Sequence, residues 1–157
     1  MVALRDSDDG RQLLLTITGY ELPDCDPDDD WHDRNWLELR ATSKRPGEPE
    51  RSGGPDACLL TAEAAELVQW LRAVAAGAVP NEIEFLEPEL SLGAAIEAGQ
   101  LQLQVTLRFG LSAAFGADPL SLDPVSSTFR TSPGALRDAA DQLEAELRRF
   151  PIRGEEP

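Results

Sequence analysis

Histidine, lysine and cysteine are scarce in this chain of 157 residues, which has one His, one Lys and two Cys. A serine or cysteine nucleophile with a histidine base would have to use His32, and no G-x-S-x-G turn is present to expose a serine. Cys25 and Cys58 lack the C-x-x-C spacing that is typical of zinc sites. Nothing singles out a catalytic pair among the 29 Asp and Glu residues. The sequence therefore predicts a protein that is not an enzyme and that holds no cofactor or metal.

Long hydrophobic runs are also missing. No stretch approaches the roughly 20 apolar residues of a membrane-spanning helix. The N-terminal sequence MVALRDSDDG turns acidic too early for a signal peptide. We therefore expect a cytoplasmic protein in which Cys25 and Cys58 remain free thiols.

Basic residues are also few relative to acidic ones. The 14 Lys and Arg residues face 29 Asp and Glu residues, so the formal net charge is −15. A field of that sign repels phosphate backbones and anionic lipid. We expect no nucleic-acid partner and no membrane partner, whereas a basic protein surface would be attracted.

The negative charge is densest in DCDPDDDWHD, residues 24–33, which has six aspartates and no Lys or Arg. Pro27 and the aspartates favour a loop. Carboxylates around a tryptophan suit a basic partner, because tryptophan is enriched at binding hot spots. The predicted partner-binding residues are Asp24, Asp26, Asp28, Asp29, Asp30, Trp31 and Asp33. The alternative for Trp31 is that it packs beneath the loop, which is the interpretation we favour for Trp36 because that residue starts a predicted strand.

The same stretch does not match a calcium-binding EF-hand loop. Asp24, Asp26 and Asp28 imitate its first three ligand positions. The sixth position, which needs Gly, is Asp29, and the twelfth, which needs an acid, is Asn35. We expect no metal ligand here, with a looser calcium site as the alternative.

Hydrophobic alternation predicts an α+β fold. In residues 100–109 the apolar residues from Leu101 to Phe109 alternate with polar ones, a pattern typical of an antiparallel sheet with one wet face. Helical spacing of apolar residues predicts helices over 61–76, capped by Thr61, and over 133–150, capped by Ser132. The remaining predicted strands lie at residues 35–42, 57–60, 90–92 and 125–131. One more is predicted in RQLLLTITGYELP, from residue 11, with its end bracketed by Gly19 and Pro23, and another starts at Ile83 and ends near Pro88.

These elements predict a single domain, residues 1–157. It consists of an antiparallel sheet of about six to eight strands with two α-helices packed on it. Residues 44–56, KRPGEPERSGGPD, form a predicted flexible loop, and residues 152–157 form a predicted tail.

Six short motifs suggest a relationship. They are GYELP at 19–23, NWL at 35–37, CLLT at 58–61, WL at 70–71, FLEPELSL at 85–92 and FP at 150–151. In this order they resemble the WapI-type immunity protein family of bacteria, over residues 11–151. Ala62 departs from the aromatic residue expected after LLT, and the loop at 44–56 is longer than expected.

The resemblance implies a small acidic cytoplasmic protein associated with a polymorphic toxin system, whose founding toxin carries a nuclease that attacks tRNA. The leading hypothesis is therefore a non-enzymatic, immunity-like protein that binds a basic partner, such as a toxin nuclease domain. The alternative is a stand-alone acidic protein with a regulatory or small-ligand-binding role. An enzyme that uses carboxylates or a metal is the third hypothesis.

Overall fold

The computed structural model describes residues 1–118 and 120–157. Within these ranges eight strands form two antiparallel sheets, each with its strands in chain order. The first sheet contains β1 (Val2–Arg5), β2 (Gln12–Tyr20), β3 (Trp36–Lys44) and β4 (Arg51–Leu60). The second sheet contains β5 (Ile83–Glu84), β6 (Leu90–Glu97), β7 (Gln100–Leu107) and β8 (Val125–Arg130).

The helical elements are α1 (Trp31–Asn35), α2 (Thr61–Ala75), a 3-10 helix (Phe109–Phe115) and α3 (Pro133–Arg149). The two long helices, α2 and α3, contact each other, and α3 also packs on β1. The Ser132 hydroxyl caps α3 by accepting a hydrogen bond from the amide of Ala135 at 3.2 Å. No helix among the described residues combines the length and apolar character needed to cross a membrane.

The predicted α+β class is confirmed, and the number of strands in the described residues lies within the predicted range. The strands divide between two sheets. The chain passes from β4 into α2, and β4 pairs with none of the strands β5 to β8. The helices predicted over 61–76 and 133–150 are each confirmed to within one residue. Helical periodicity depends on local spacing, whereas strand partnership depends on contacts far apart in the chain.

One hydrophobic core cluster contains side chains from both sheets and both long helices. On β7, Leu103, Val105 and Leu107 are buried, while Gln104 between them is exposed. The predicted alternation is therefore confirmed along β7. Its extension to Phe109 is wrong, because that residue has φ +54°, leaves the strand and is 37% exposed.

The loop predicted over 44–56 is shorter than expected. β3 includes Lys44 and β4 begins at Arg51, so only residues 45–50 connect the two strands. The glycines of this stretch serve close packing: a Cβ on Gly53 would lie 2.5 Å from the carbonyl oxygens of Gly110 and Leu111 in the 3-10 helix. The composition of this stretch favours a flexible loop, but in the structure its second half is part of β4 and packs closely against the 3-10 helix.

Asp6 links the edges of the two sheets. Its Oδ1 accepts hydrogen bonds from the amides of Asp8 and Asp9, and its Oδ2 accepts one from the amide of Arg130 at the end of β8. The amide of Ser7 also donates to the Arg130 carbonyl at 3.0 Å. Burial raises the pKa of Asp6, but the amide donors outweigh it and leave the pKa below its ordinary value. Strand β1, which leads into this contact, has no counterpart among the predicted elements.

Replacing a core leucine tests the two-sheet core. Leu103 and Leu143 are 1% and 4% exposed, so Leu103→Ala or Leu143→Ala should lower the free energy of unfolding by about 2–5 kcal/mol. Ile96→Ala is the control, because Ile96 is 54% exposed and should change stability by no more than about 0.5 kcal/mol. Chemical denaturation measures all three. Unchanged unfolding of both leucine variants would contradict the assigned core.

Candidate partner-binding site

The acidic segment, residues 24–33, connects β2 to β3 at the surface, and all six of its aspartates are exposed. Two of the carboxylates shape the turn. Oδ2 of Asp29 accepts from the amide of Asp26 at 2.7 Å, and Oδ1 of Asp26 accepts from the amide of Asp28 at 3.0 Å. The aspartates thus stabilise the local backbone while keeping their charge at the surface.

The segment ends in the short helix α1, which the sequence analysis did not predict. Asp30 caps it: Oδ1 accepts from the amide of His32 at 2.9 Å and lies 3.1 Å from Nδ1 of the same residue. These hydrogen bonds from His32, the backbone amide foremost, hold the pKa of Asp30 below its ordinary value. The loop prediction is therefore wrong from Trp31 onward, where the aspartate cap starts a helical turn.

Asn35, the last residue of α1, fastens the segment to the rest of the protein. Its side chain is completely buried. Nδ2 donates to the carbonyls of Trp31 and Arg153 at 2.8 and 2.9 Å. Oδ1 accepts from the Thr61 hydroxyl and from the Arg153 amide, each at 2.9 Å. This group of contacts, which we call the Asn35 clamp, joins α1, the start of α2 and the C-terminal tail.

Arg153 holds the other side of the segment, so the predicted tail at 152–157 is anchored at this residue. Its guanidinium lies over the Tyr20 ring, 3.4 Å from the ring centre. Nη1 donates to the Leu22 carbonyl at 2.8 Å and contacts Sγ of Cys25 at 3.3 Å, and Nη2 donates to the Pro23 carbonyl at 3.1 Å. The start of the acidic segment is thereby tied to the chain terminus.

Trp31 lies inside the protein. Its side chain is 7% exposed and packs edge-on against the His32 ring, with the ring centres 5.3 Å apart. Burial decides between the two interpretations of this residue: the indole supports the segment from below and is not an exposed anchor. Partner binding through the six aspartates stays a prediction.

A second group of carboxylates lies near the start of α2. Glu63 in the first turn of α2 accepts from the amides of Leu60 and Leu86, at 2.9 and 2.7 Å. Glu63 thus links the β4–α2 junction to the loop that carries Glu87 and Glu89. The same junction is joined to the Asn35 clamp through Thr61. The acidic segment and this loop both attach to the start of α2, and we call the two together the acidic face.

Within this second group, Glu89 and Asp56 form a carboxyl pair. Burial, followed by the hydrogen bond and the charge of Asp56, raises the pKa of Glu89 to about 8. Oε2 of Glu89 is buried, and no donor in the described residues reaches it. Since two ionised carboxylates offer no donor, a shared proton is what can join them. Burial first, then the charges of Glu89 and Asp56, also raise the pKa of the Cys58 thiol.

The described residues contain no group of three or more His, Cys, Asp and Glu side chains that could hold a metal ion. In the acidic segment, the carboxylates of Asp26, Asp29 and Asp30 accept hydrogen bonds from backbone amides. The expected lack of metal binding stays a prediction that calorimetric titration with calcium and zinc tests.

The model of the Immunity protein WapI-like family matches residues 4–151, nearly the whole chain. The chain belongs to this family. Membership supports an immunity-type, toxin-neutralising role, and immunity proteins are generally not enzymes. Searches of curated proteins and of solved structures found no match.

Several of the motifs that suggested the WapI-like family meet at the Asn35 clamp. Tyr20 of GYELP packs edge-on against Phe150 of the closing FP, with ring centres 5.6 Å apart, and its hydroxyl donates to the Pro151 carbonyl. Oδ1 of Asn35, from NWL, accepts a hydrogen bond from the hydroxyl of Thr61, from CLLT. The motifs thus support the acidic segment from below.

Sequence reasoning missed the roles of Asn35, Arg153 and the Glu89–Asp56 pair. The sequence marks Asn35 as the position where the EF-hand pattern fails, as the start of a predicted strand and as part of NWL, and it predicts Thr61 as the cap of α2. In the structure the Thr61 hydroxyl donates to Asn35. The one available signal was the presence of Asn35, Thr61, Glu89 and Phe150 in the family motifs. Which motif contacts which required the fold.

Removing the Asn35 amide tests the clamp. Asn35→Ala leaves the buried Thr61 hydroxyl and the Arg153 amide without their acceptor, so the free energy of unfolding should fall by about 2–4 kcal/mol. Asn81→Ala is the control, because Asn81 is the only other asparagine and is exposed; it should shift stability by no more than about 0.5 kcal/mol. Denaturant unfolding gives both values. Equal stability of the two variants would show that the clamp contributes nothing.

The carboxyl pair predicts a pH dependence of stability. The pKa of Glu89 rises from its ordinary value of 4.5 to about 8 on folding, so over this range the folded state retains a proton that the unfolded state releases. Glu89 should therefore lower stability increasingly as pH rises from about 5 to about 8. Glu89→Gln keeps a neutral side chain and should gain stability relative to the parent over that window.

The control for the pH experiment is Glu97→Gln, which removes an exposed carboxylate at the end of β6. Thermal melting of the parent and both variants at pH 5, 7 and 9 provides the measurement. A constant difference between Glu89→Gln and the parent across this range would contradict the shared proton.

Proposed function

We propose that the protein is a non-enzymatic immunity protein that neutralises a toxin domain by occupying a basic surface with its acidic face. The observation that carries the proposal is the set of six exposed aspartates, held in a defined conformation in a chain of the WapI-like family. The formal net charge of −15 supports a partner of opposite sign.

A nuclease toxin domain is the partner whose chemistry fits this face best. Enzymes that grip the phosphate backbone present basic clefts, and a dense array of carboxylates resembles that backbone in the sign of its charge. The proposed place of action is the cytoplasm, where such a toxin would meet its nucleic-acid substrate. Binding there would exclude the substrate without any chemical step by the immunity protein.

The clamp supports this proposal through pre-organisation. A free loop with six like charges would lose conformational freedom on binding, and that loss weakens affinity. Here the segment is ordered before a partner arrives. The Asn35 clamp, Arg153 and the hydrogen bonds from backbone amides to the carboxylates of Asp26, Asp29 and Asp30 hold it. Because Trp31 is buried, the direct contacts in this proposal belong to the carboxylates.

Neutralising three aspartates tests the acidic face. The triple variant Asp28→Asn, Asp29→Asn, Asp30→Asn keeps the oxygen that caps α1 but removes three charges. Its association with a cognate toxin domain, to be sought in the gene beside this one, should slow by roughly tenfold, because exposed charges act mainly on the rate of encounter. Raising the salt from 0.1 to 1 M should slow the parent as well, since the Debye length falls from about 10 Å to about 3 Å. Surface plasmon resonance measures both rates.

The matched control replaces three exposed carboxylates outside the acidic face, with Glu97→Gln, Asp123→Asn and Asp138→Asn. It loses the same charge and should slow association much less. Equal rates for the two triple variants would contradict a role for the acidic segment. Failure to protect cells that co-express the neighbouring toxin would favour the stand-alone alternative.

A further inference from the structure

A cleft of about 270 Å³ lies between the first sheet, the 3-10 helix and β8. It is at the opposite end of the β2–β3 hairpin from the acidic segment: Gln12 and Lys44 pair beside the cleft, whereas Tyr20 and Leu37 pair beside the segment. With about 3.3 Å per residue, the nine-residue strand β2 separates the two ends by roughly 25 Å. The cleft is therefore distinct from the acidic face.

Basic side chains gather at this cleft although the protein as a whole is strongly acidic. Arg11, Lys44, Arg45 and Arg51 line it, and Glu48 is the one acidic side chain in the lining. Nε of Arg11 donates to the Asp9 carboxylate at 2.7 Å, and its Nη2 donates to the Thr128 carbonyl at 2.6 Å. Nζ of Lys44 forms an ion pair with the Glu50 carboxylate at 2.8 Å. In the described part of the chain, the guanidiniums of Arg45 and Arg51 take part in no hydrogen bond or ion pair.

The backbone makes room for one of these guanidiniums. Gly116 follows the 3-10 helix with φ +81°, and a Cβ at this position would lie 2.5 Å from Nη1 of Arg51. A side chain there would displace the arginine. The left-handed glycine and the placement of Arg51 are thus coupled in the fold.

The cleft also has an aromatic wall. Phe115 is its partly exposed aromatic side chain, whereas Phe129 is 2% exposed and lies beneath the Arg11 guanidinium. The hydroxyls of Ser126 and Ser127 are already hydrogen-bonded to Thr106 and Arg11. Ligand sites commonly combine an apolar wall with a few polar groups, in volumes of roughly 300–1,000 Å³. The volume here suits a small ligand of about one ring with a charged head.

We propose that this cleft binds a small organic phosphate, a phosphate monoester with an apolar or aromatic body. A guanidinium suits the oxygens of a phosphate, and the two unpaired guanidiniums equal its two negative charges in number. The body of the ligand contacts Phe115, while the head group pairs with Arg45 and Arg51. The site lies outside the proposed toxin-binding face and does not depend on it.

Phenyl phosphate, inorganic phosphate, phenol and benzoate are suitable probes. Titration of the parent protein, followed by amide chemical shifts and calorimetry, should show saturable binding of phenyl phosphate that shifts Arg45, Arg51 and Ser127. Its affinity should exceed that of each other probe by at least tenfold. The double variant Arg45→Gln, Arg51→Gln should weaken it at least tenfold, with unchanged melting temperature.

The control variant Arg40→Gln, Arg137→Gln removes two exposed arginines that do not line the cleft, and it should bind as the parent does. Absence of saturable binding at millimolar phenyl phosphate would overturn the proposal. Equal loss of affinity in both double variants would reduce the effect to overall charge and would overturn it as well. Tighter binding of benzoate would replace the phosphate with a carboxylate and refute the assigned head group.

Discussion

The buried amide of Asn35 is the contact on which the acidic face depends. Both polar atoms of this amide form hydrogen bonds, with partners in α1, α2 and the C-terminal tail. The most distant partner, Arg153, is 118 positions away in the chain. Six aspartates in ten residues repel one another, so this segment would spread without such support. The clamp and the amide hydrogen bonds around Asp26 and Asp30 together overcome that repulsion and give the charges a fixed arrangement.

The charge distribution along the β2–β3 hairpin gives the molecule two distinct ends. Carboxylates crowd the end that follows Tyr20, whereas Arg45 and Arg51 lie beside the cleft at the other end. A net charge of −15 therefore conceals a local basic site, because summed composition carries no information on position. A basic partner would be drawn to the acidic face, and a small anion would be drawn to the cleft. The two proposals use opposite signs of charge and can be tested separately.

Local patterns predicted the elements well where one side of an element is buried and the other is wet. The alternation of Leu103, Val105 and Leu107 and the stripes of α2 and α3 belong to this class. Predictions were wrong where a residue serves a distant partner. Residues 51–56 have the composition of a loop but form part of β4 against the 3-10 helix, and Phe109 leaves its strand. For the candidate site, the exposed aspartates were visible in the sequence, whereas the burial of Trp31 was not.

The sequence by itself determined the charge, the helices, most of the strands and, through short motifs, the family. Each of these depends on composition or on residues a few positions apart, which a linear pattern records directly. Only the tertiary structure decided that the strands form two sheets, that Asn35 and Arg153 hold the acidic segment, and that four basic side chains share one cleft. The physical reason is that these features arise from contacts between residues distant in sequence. Burial and hydrogen-bond partnership at such contacts depend on how the elements pack against one another.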